Sequence, residues 1–267
     1  MKNNIRFKGK IILATIFIQL QINNSSQAIF TLEDFDSVNH VRHYNSLPEV
    51  EDADANVRQI PSVPLFLQRA ESLVAQYKLE PYVGLRLIHK HFPLSDGQLM
   101  IEEYHVVDGI PSLVTSPHAL EETIMAAIPS SWIFSNNLKQ DPYIFEASTD
   151  PAVKEAITKL KENPEFFDEM RKLLTEYELL SFFSVAILQR TSLIVHEGQS
   201  YLEESYTDPN ESIIQVCDDS KISPNAITTT WSFKGPREMK CTPSAYCSPR
   251  MHGHKIIRNH LRQKAIG

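Results

Sequence analysis

His89 and His91 lie one residue apart at the end of an apolar run, Tyr82 to Ile88. In an extended chain, alternate side chains face the same way with Cα atoms ~6–7 Å apart. That is a common way to offer two imidazoles to one metal ion. Zinc in a catalytic setting often takes three protein ligands and leaves one position for water. The third ligand could come from His105, His118 or His196, or from the pair His252 and His254. Glu102 or Glu103 could serve as a base or an outer carboxylate.

A second cluster closes the chain: Cys241-x5-Cys247-x4-His252-x-His254-x5-His260. Thiolate and imidazole are the ligands zinc prefers, although this spacing matches no zinc finger and lacks the usual CxxC knuckle. Cys241 and Cys247 also suit a disulfide in an oxidising compartment, which would leave Cys217 as the odd thiol. A disulfide and a histidine site are compatible, whereas a thiolate site excludes that disulfide. The expected metal set is therefore His89, His91, His252 and His254 around zinc or another divalent ion, with Cys241 and Cys247 as the disulfide candidate.

Other chemistries find less in the sequence. It contains no GxSxG elbow, no HExxH, no glycine-rich phosphate loop and no dinucleotide fingerprint. The acidic pairs Glu102-Glu103, Glu121-Glu122, Glu203-Glu204 and Asp218-Asp219 could supply two opposed carboxylates for sugar hydrolysis, but adjacent acids are expected by chance in so acidic a chain. Asn210-Glu211-Ser212 is a glycosylation sequon, meaningful only on a eukaryotic secretory route.

The elements that must position these residues follow from pattern. Tyr82 to Tyr104, YVGLRLIHKHFPLSDGQLMIEEY, reads as strand, turn, strand, with Pro93 ending the first strand and Ser95-Asp96-Gly97 forming the turn. A similar layout recurs about a hundred residues on. Glu197-Gly198-Gln199 mirrors Asp96-Gly97-Gln98, and Leu202-Glu203-Glu204 mirrors Ile101-Glu102-Glu103. A duplicated hairpin would explain the match, and so would the general taste of turns for Asp-Gly and Glu-Gly. Helical spacing predicts helices over Leu65 to Lys78 and Ala119 to Ala127. Two more start at Asp150-Pro151 and Asn163-Pro164. Leu179 to Leu188, Ser192 to Val195, Ser200 to Ser205, Ser212 to Val216 and Ala226 to Phe233 read as strands. The expected class is α+β, a mainly antiparallel sheet of hairpins with several packed helices.

The totals bound the rest. A chain of 267 residues, 42% hydrophobic and 22% charged, can bury a core. Residues 1–28 read as a signal peptide: a basic start (Lys2, Arg6, Lys8, Lys10), the apolar run Ile11 to Ile22, and cleavage after Ala28. The mature chain is expected to be secreted or periplasmic, with no later stretch suited to crossing a membrane. Residues 29–62 read as an extended acidic lead-in with at most one short helix, 63–233 as an α+β core, and 234–267 as a basic Cys/His-rich segment. The formal charge of −7 includes eight Lys and Arg after Phe233 against Glu238 alone. Such a tail suits docking on its own acidic body or on an anionic partner, while the overall acidity argues against nucleic acid. The functional expectation is a secreted globular protein that binds a zinc-like ion through histidines. The alternative is a non-catalytic secreted interaction module without metal.

Overall fold

The computed structural model describes residues 30–32, 35–123, 126–135, 142–233 and 241–247. The sheet dominates a mixed α+β architecture. Its strands are β1 (Val83–Leu87), β2 (Gln98–Val107), β3 (Ile110–Ala119), β4 (Ile128–Ile133), β5 (Tyr143–Ser148), β6 (Phe183–Ile187), β7 (Gln199–Thr207), β8 (Asn210–Asp218), β9 (Ile227–Phe233) and β10 (Cys241–Cys247). They curl into a closed barrel in the order β1-β6-β4-β5-β2-β3-β8-β7-β10-β9. Among the described residues only β2 with β5 and β7 with β10 pair in parallel. The helices are α1 (Ser37–Asn45), α2 (Val50–Val57), α3 (Val63–Gln76), α4 (Leu120–Thr123), α5 (Pro151–Lys161) and α6 (Phe166–Glu176).

The barrel is built from one unit used twice. β1 meets β6 antiparallel with Leu85 opposite Val185, and β3 meets β8 with Leu113 opposite Ile214 and Val114 opposite Ile213. Both junctions are centred on residues a hundred apart, as an internal two-fold requires. The same relation holds around the ring. Leu85 pairs with Trp231 and Val185 with Trp132, so the chain's two tryptophans are mates. Glu102 pairs with Ser148, and Glu203 with Cys247. Gly97 and Gly198 take the same left-handed backbone (φ 75° and 79°) ahead of β2 and β7, a conformation glycine adopts without penalty. Lys78 and Glu178 do likewise after α3 and α6. The repeat read from Gly97-Gln98 and Gly198-Gln199 thus extends through the barrel strands.

The structure corrects several expectations. The stretch Tyr82 to Tyr104 does contain a strand, a turn and a strand, but the two strands do not pair with each other. β1 crosses to the other unit and pairs with β6 and β9, while β2 pairs with β3 and β5. Local pattern specifies strands, and partner choice is set by long-range packing. Residues 29–62 are not extended: α1 and α2 occupy much of that stretch, and Phe30, Leu32, Val41, Tyr44, Val50, Ala53 and Val57 enter the core. Their apolar positions fall three and four apart, a helical spacing masked in composition by Glu51, Asp52 and Asp54 between them. Ser192 to Val195 is irregular rather than a strand, and of the helix predicted from Ala119 to Ala127 the described residues show α4. No strand was expected at β4, β5 or β10. The signal segment, and His252 and His254, lie outside the described residues.

Asp150 caps α5 as its position before Pro151 predicts. Its carboxylate accepts from Ala152 N (2.8 Å), Thr191 N (3.2 Å), Thr191 Oγ1 (2.9 Å) and Ser192 Oγ (3.0 Å). Burial would raise its pKa, but these donors together hold it below the usual carboxylate value. Asp150→Ala removes the cap and the acceptor for Thr191 and Ser192, so urea denaturation should show a loss of about 2 kcal/mol. Because the folded pKa is depressed, this contribution is present above the ordinary carboxylate range. It is lost as pH falls through the folded value.

Candidate metal centre

β1 ends at Leu87, and the chain leaves the sheet before it reaches His89. The two imidazoles are therefore aimed by a short irregular segment and not by strand alternation. His89 Nδ1 lies 2.8 Å from the Leu87 carbonyl, to which it donates, leaving Nε2 as the free acceptor. His91 Nδ1 lies 2.7 Å from Ser205 Oγ. The rings meet edge to face, 4.7 Å between centroids. His91 Nε2 stands 3.4 Å from Glu203 Oε1, brought from β7 in the other unit.

His89, His91 and Glu203 each offer a ligand atom within 4.8 Å of the others. Their exposures are 2%, 4% and 1%, so the group is sealed from solvent. It could hold a metal ion. A tetrahedral ion with bonds of about 2.1 Å would draw neighbouring ligand atoms to ~3.4 Å, a closure of at most about 1.4 Å from the 4.8 Å outer limit seen here. Leu87 O and Ser205 Oγ fix the rings through the far nitrogens, the arrangement that outer partners give metal-bound histidines. Two atoms in the group, His89 Nε2 and Glu203 Oε2, are buried without a hydrogen-bond partner among the described residues. Burial, then the neighbouring His91, pushes the His89 pKa down to about 3, which keeps this imidazole neutral and its lone pair available.

The surroundings are charged. Arg86 on β1 pairs with Glu146 on β5, and its other terminal nitrogen lies 4.0 Å from Glu203 Oε1. Burial opposes the Arg86 charge, but Glu146, Glu203 and Glu102 hold its pKa above the ordinary value. Burial raises the Glu146 pKa despite Arg86. Ser212 Oγ donates to Glu203 Oε1 at 2.7 Å. Tyr44 of α1, fully buried, has its pKa raised first by burial and then by Glu146.

The histidines proposed as third ligand go elsewhere. His105 and His118 flank Glu103 on the outer face at 3.7 and 3.6 Å, and His196 is exposed. Glu102 is held by Arg190 and by Ser148 Oγ at 2.8 Å. The third member is the carboxylate of Glu203, the internal mate of Glu102. Cys241 and Cys247 open and close one paired strand, β10. Six residues of extended chain separate its ends by ~20 Å, against the ~4.4–6.8 Å between Cα atoms that a disulfide spans.

His40 of α1 is wholly buried against Tyr143. Burial, then His43, lowers its pKa from 6.5 to about 4. The folded state resists a proton that the unfolded chain accepts. Stability is therefore full above about pH 6.5 and falls by about 1.4 kcal/mol per pH unit as pH drops from there toward the folded value. His40→Gln should flatten that slope in urea midpoints measured between pH 7 and pH 4.5.

No protein-family model, curated protein or solved structure matches the chain. The assignment of a role accordingly rests on the geometry.

Proposed function

We propose that this protein is an exported globular protein that binds one divalent, zinc-like ion at His89, His91 and Glu203. The observation that carries the reading is the convergence of two buried imidazoles and a carboxylate in a sealed group. An unpartnered buried polar atom costs about 1–3 kcal/mol, and a metal bond would relieve both His89 Nε2 and Glu203 Oε2. Charge supports the same view. Among the described residues, Glu102, Glu146 and Glu203 are paired with two guanidinium groups, Arg86 and Arg190, and a cation would offset the excess of carboxylate. Nitrogen-rich ligands favour zinc and its transition-metal neighbours over calcium or magnesium. Export rests on the basic start, the apolar run and the small residues ending at Ala28. No helix among the described residues is long and apolar enough to cross a membrane.

The test is metal content. Protein dialysed against a zinc buffer and freed of excess ion should carry one zinc per chain by mass spectrometry. His89→Ala with His91→Ala should carry none. A wild-type chain without stoichiometric metal would overturn the reading and leave the group as a polar cluster around water.

A further inference from the structure

We infer that an ion at this site keeps one position for a small non-protein ligand, water or a monoanion, and that the Tyr44 hydroxyl is that ligand's hydrogen-bond donor. The inference rests on the metal reading above. Tyr44 of α1 is fully buried, and its hydroxyl has no hydrogen-bond partner among the described residues. Native structures rarely leave such a group unpaired. The polar groups that act on it are Glu146, the His91 backbone amide, Glu203 and Arg86. All four belong to the metal cluster or its charged surroundings, so the hydroxyl faces the site. Burial first, and then Glu146, raise its pKa, which keeps the phenol protonated and makes it a donor.

The place of Tyr44 is fixed by its neighbours. Its ring stacks on Phe145 at 5.4 Å and shares an apolar cluster with Ile88, Phe92 and Leu94, which flank the two histidines. The next residue clamps the same segment. Asn45 Nδ2 donates to the Leu94 carbonyl at 2.9 Å, and Asn45 Oδ1 accepts from Leu94 N at 2.8 Å. Lys90 Nζ donates to the Asn45 carbonyl at 2.9 Å, and Lys90 N donates to the Pro48 carbonyl at 2.9 Å. The end of α1 and the histidine segment therefore hold one another. Glu203 is oriented as well. Its Oε1 accepts from Ser212 Oγ at 2.7 Å and lies 4.0 Å from the Arg86 guanidinium, which leaves Oε2 for the ion. Two imidazoles and one carboxylate oxygen make three protein ligands, the number that leaves an exchangeable position on zinc. Burial of the whole group limits the occupant of that position to a few atoms.

Azide on cobalt(II)-loaded protein tests this. The wild-type chain carrying one cobalt should change its visible absorption saturably when brought to equilibrium with sodium azide. Tyr44→Phe should hold cobalt within about threefold of the wild-type affinity and bind azide about tenfold more weakly. Its metal-free form should unfold at the wild-type urea midpoint or above, because only an unpaired hydroxyl is lost. Tyr143→Phe removes a phenol that is committed to His40 of α1 and should bind azide as the wild type does. A cobalt spectrum indifferent to azide, or equal azide affinity in Tyr44→Phe, would overturn the inference and leave the three-ligand site standing. Loss of cobalt from a folded Tyr44→Phe chain would make the phenol itself a ligand and overturn its role as donor. A wild-type chain that binds neither cobalt nor zinc would overturn the metal reading itself.

Discussion

Arg86→Ala should be among the most damaging single substitutions in this protein, with a loss of about 4 kcal/mol in urea or thermal unfolding. Arg86 stands on β1 at 12% side-chain exposure, between Glu146 at 6% and Glu203 at 1%. Removing the guanidinium leaves two carboxylates buried together without their counter-charge. The replacement also deletes the aliphatic stem that packs in the sheet, but the electrostatic part dominates. Arg86→Met keeps most of the stem and should recover little. Glu146→Gln in the Arg86→Met background should recover more, because it removes one of the two stranded charges. If Arg86→Ala unfolds at the wild-type midpoint, the interior charge pairing described here is not a determinant of stability.

The second large effect is stabilisation by metal. An ion that binds the folded state alone adds RT ln(1 + [L]/Kd), about 4 kcal/mol at a thousandfold excess over Kd. Zinc should therefore raise the unfolding midpoint of the wild-type chain by that order, and a chelator should reverse it. His89→Ala with His91→Ala should unfold at one midpoint whether zinc is present or not. The pair must be removed together, since one imidazole and Glu203 could retain weak binding. Glu203→Gln should also lose most of the response, while Glu103→Gln, on the outer face with His105 and His118, should keep it. A zinc-induced shift of equal size in the double variant would place the ion elsewhere.

Parts of this were legible in the residues. His89-x-His91 marked the site, Asp150-Pro151 marked the start of α5, and the apolar strands β6 and β9 stood out by composition. The echo of Ile101-Glu102-Glu103 in Leu202-Glu203-Glu204 marked the duplication. What stayed hidden was partnership. β1 and β2 look like a hairpin because local signals report turns and strands, and nothing local reports that β1 is exchanged into the other unit. For the same reason Glu203, more than a hundred residues from His91, was not seen as its neighbour, and the third ligand was sought among histidines. Arg86 reads as an ordinary charge on a strand until the barrel closes around it. His40 carries no local sign of burial, because α1 is short and polar. Its burial depends on Tyr143 from β5, a strand whose sequence, YIFEAS, shows only weak alternation.

The mated positions could have narrowed the search. Aligning the two units through Gly97 and Gly198 puts Glu203 opposite Glu102, and aligning them through β1 and β6 puts His89 and His91 opposite Gln189 and Thr191. A ligand-rich copy beside a ligand-poor one is visible in that comparison before any coordinates are known.

The central claim is that imidazoles from one unit and a carboxylate from the other share one ion. X-ray absorption at the zinc edge of stoichiometrically loaded protein tests it most directly. The account predicts two imidazoles in the inner shell with Zn–N near 2.0–2.1 Å, both lost in the His89→Ala, His91→Ala variant. A shell of oxygen alone, or an imidazole signal that survives that variant, would contradict it.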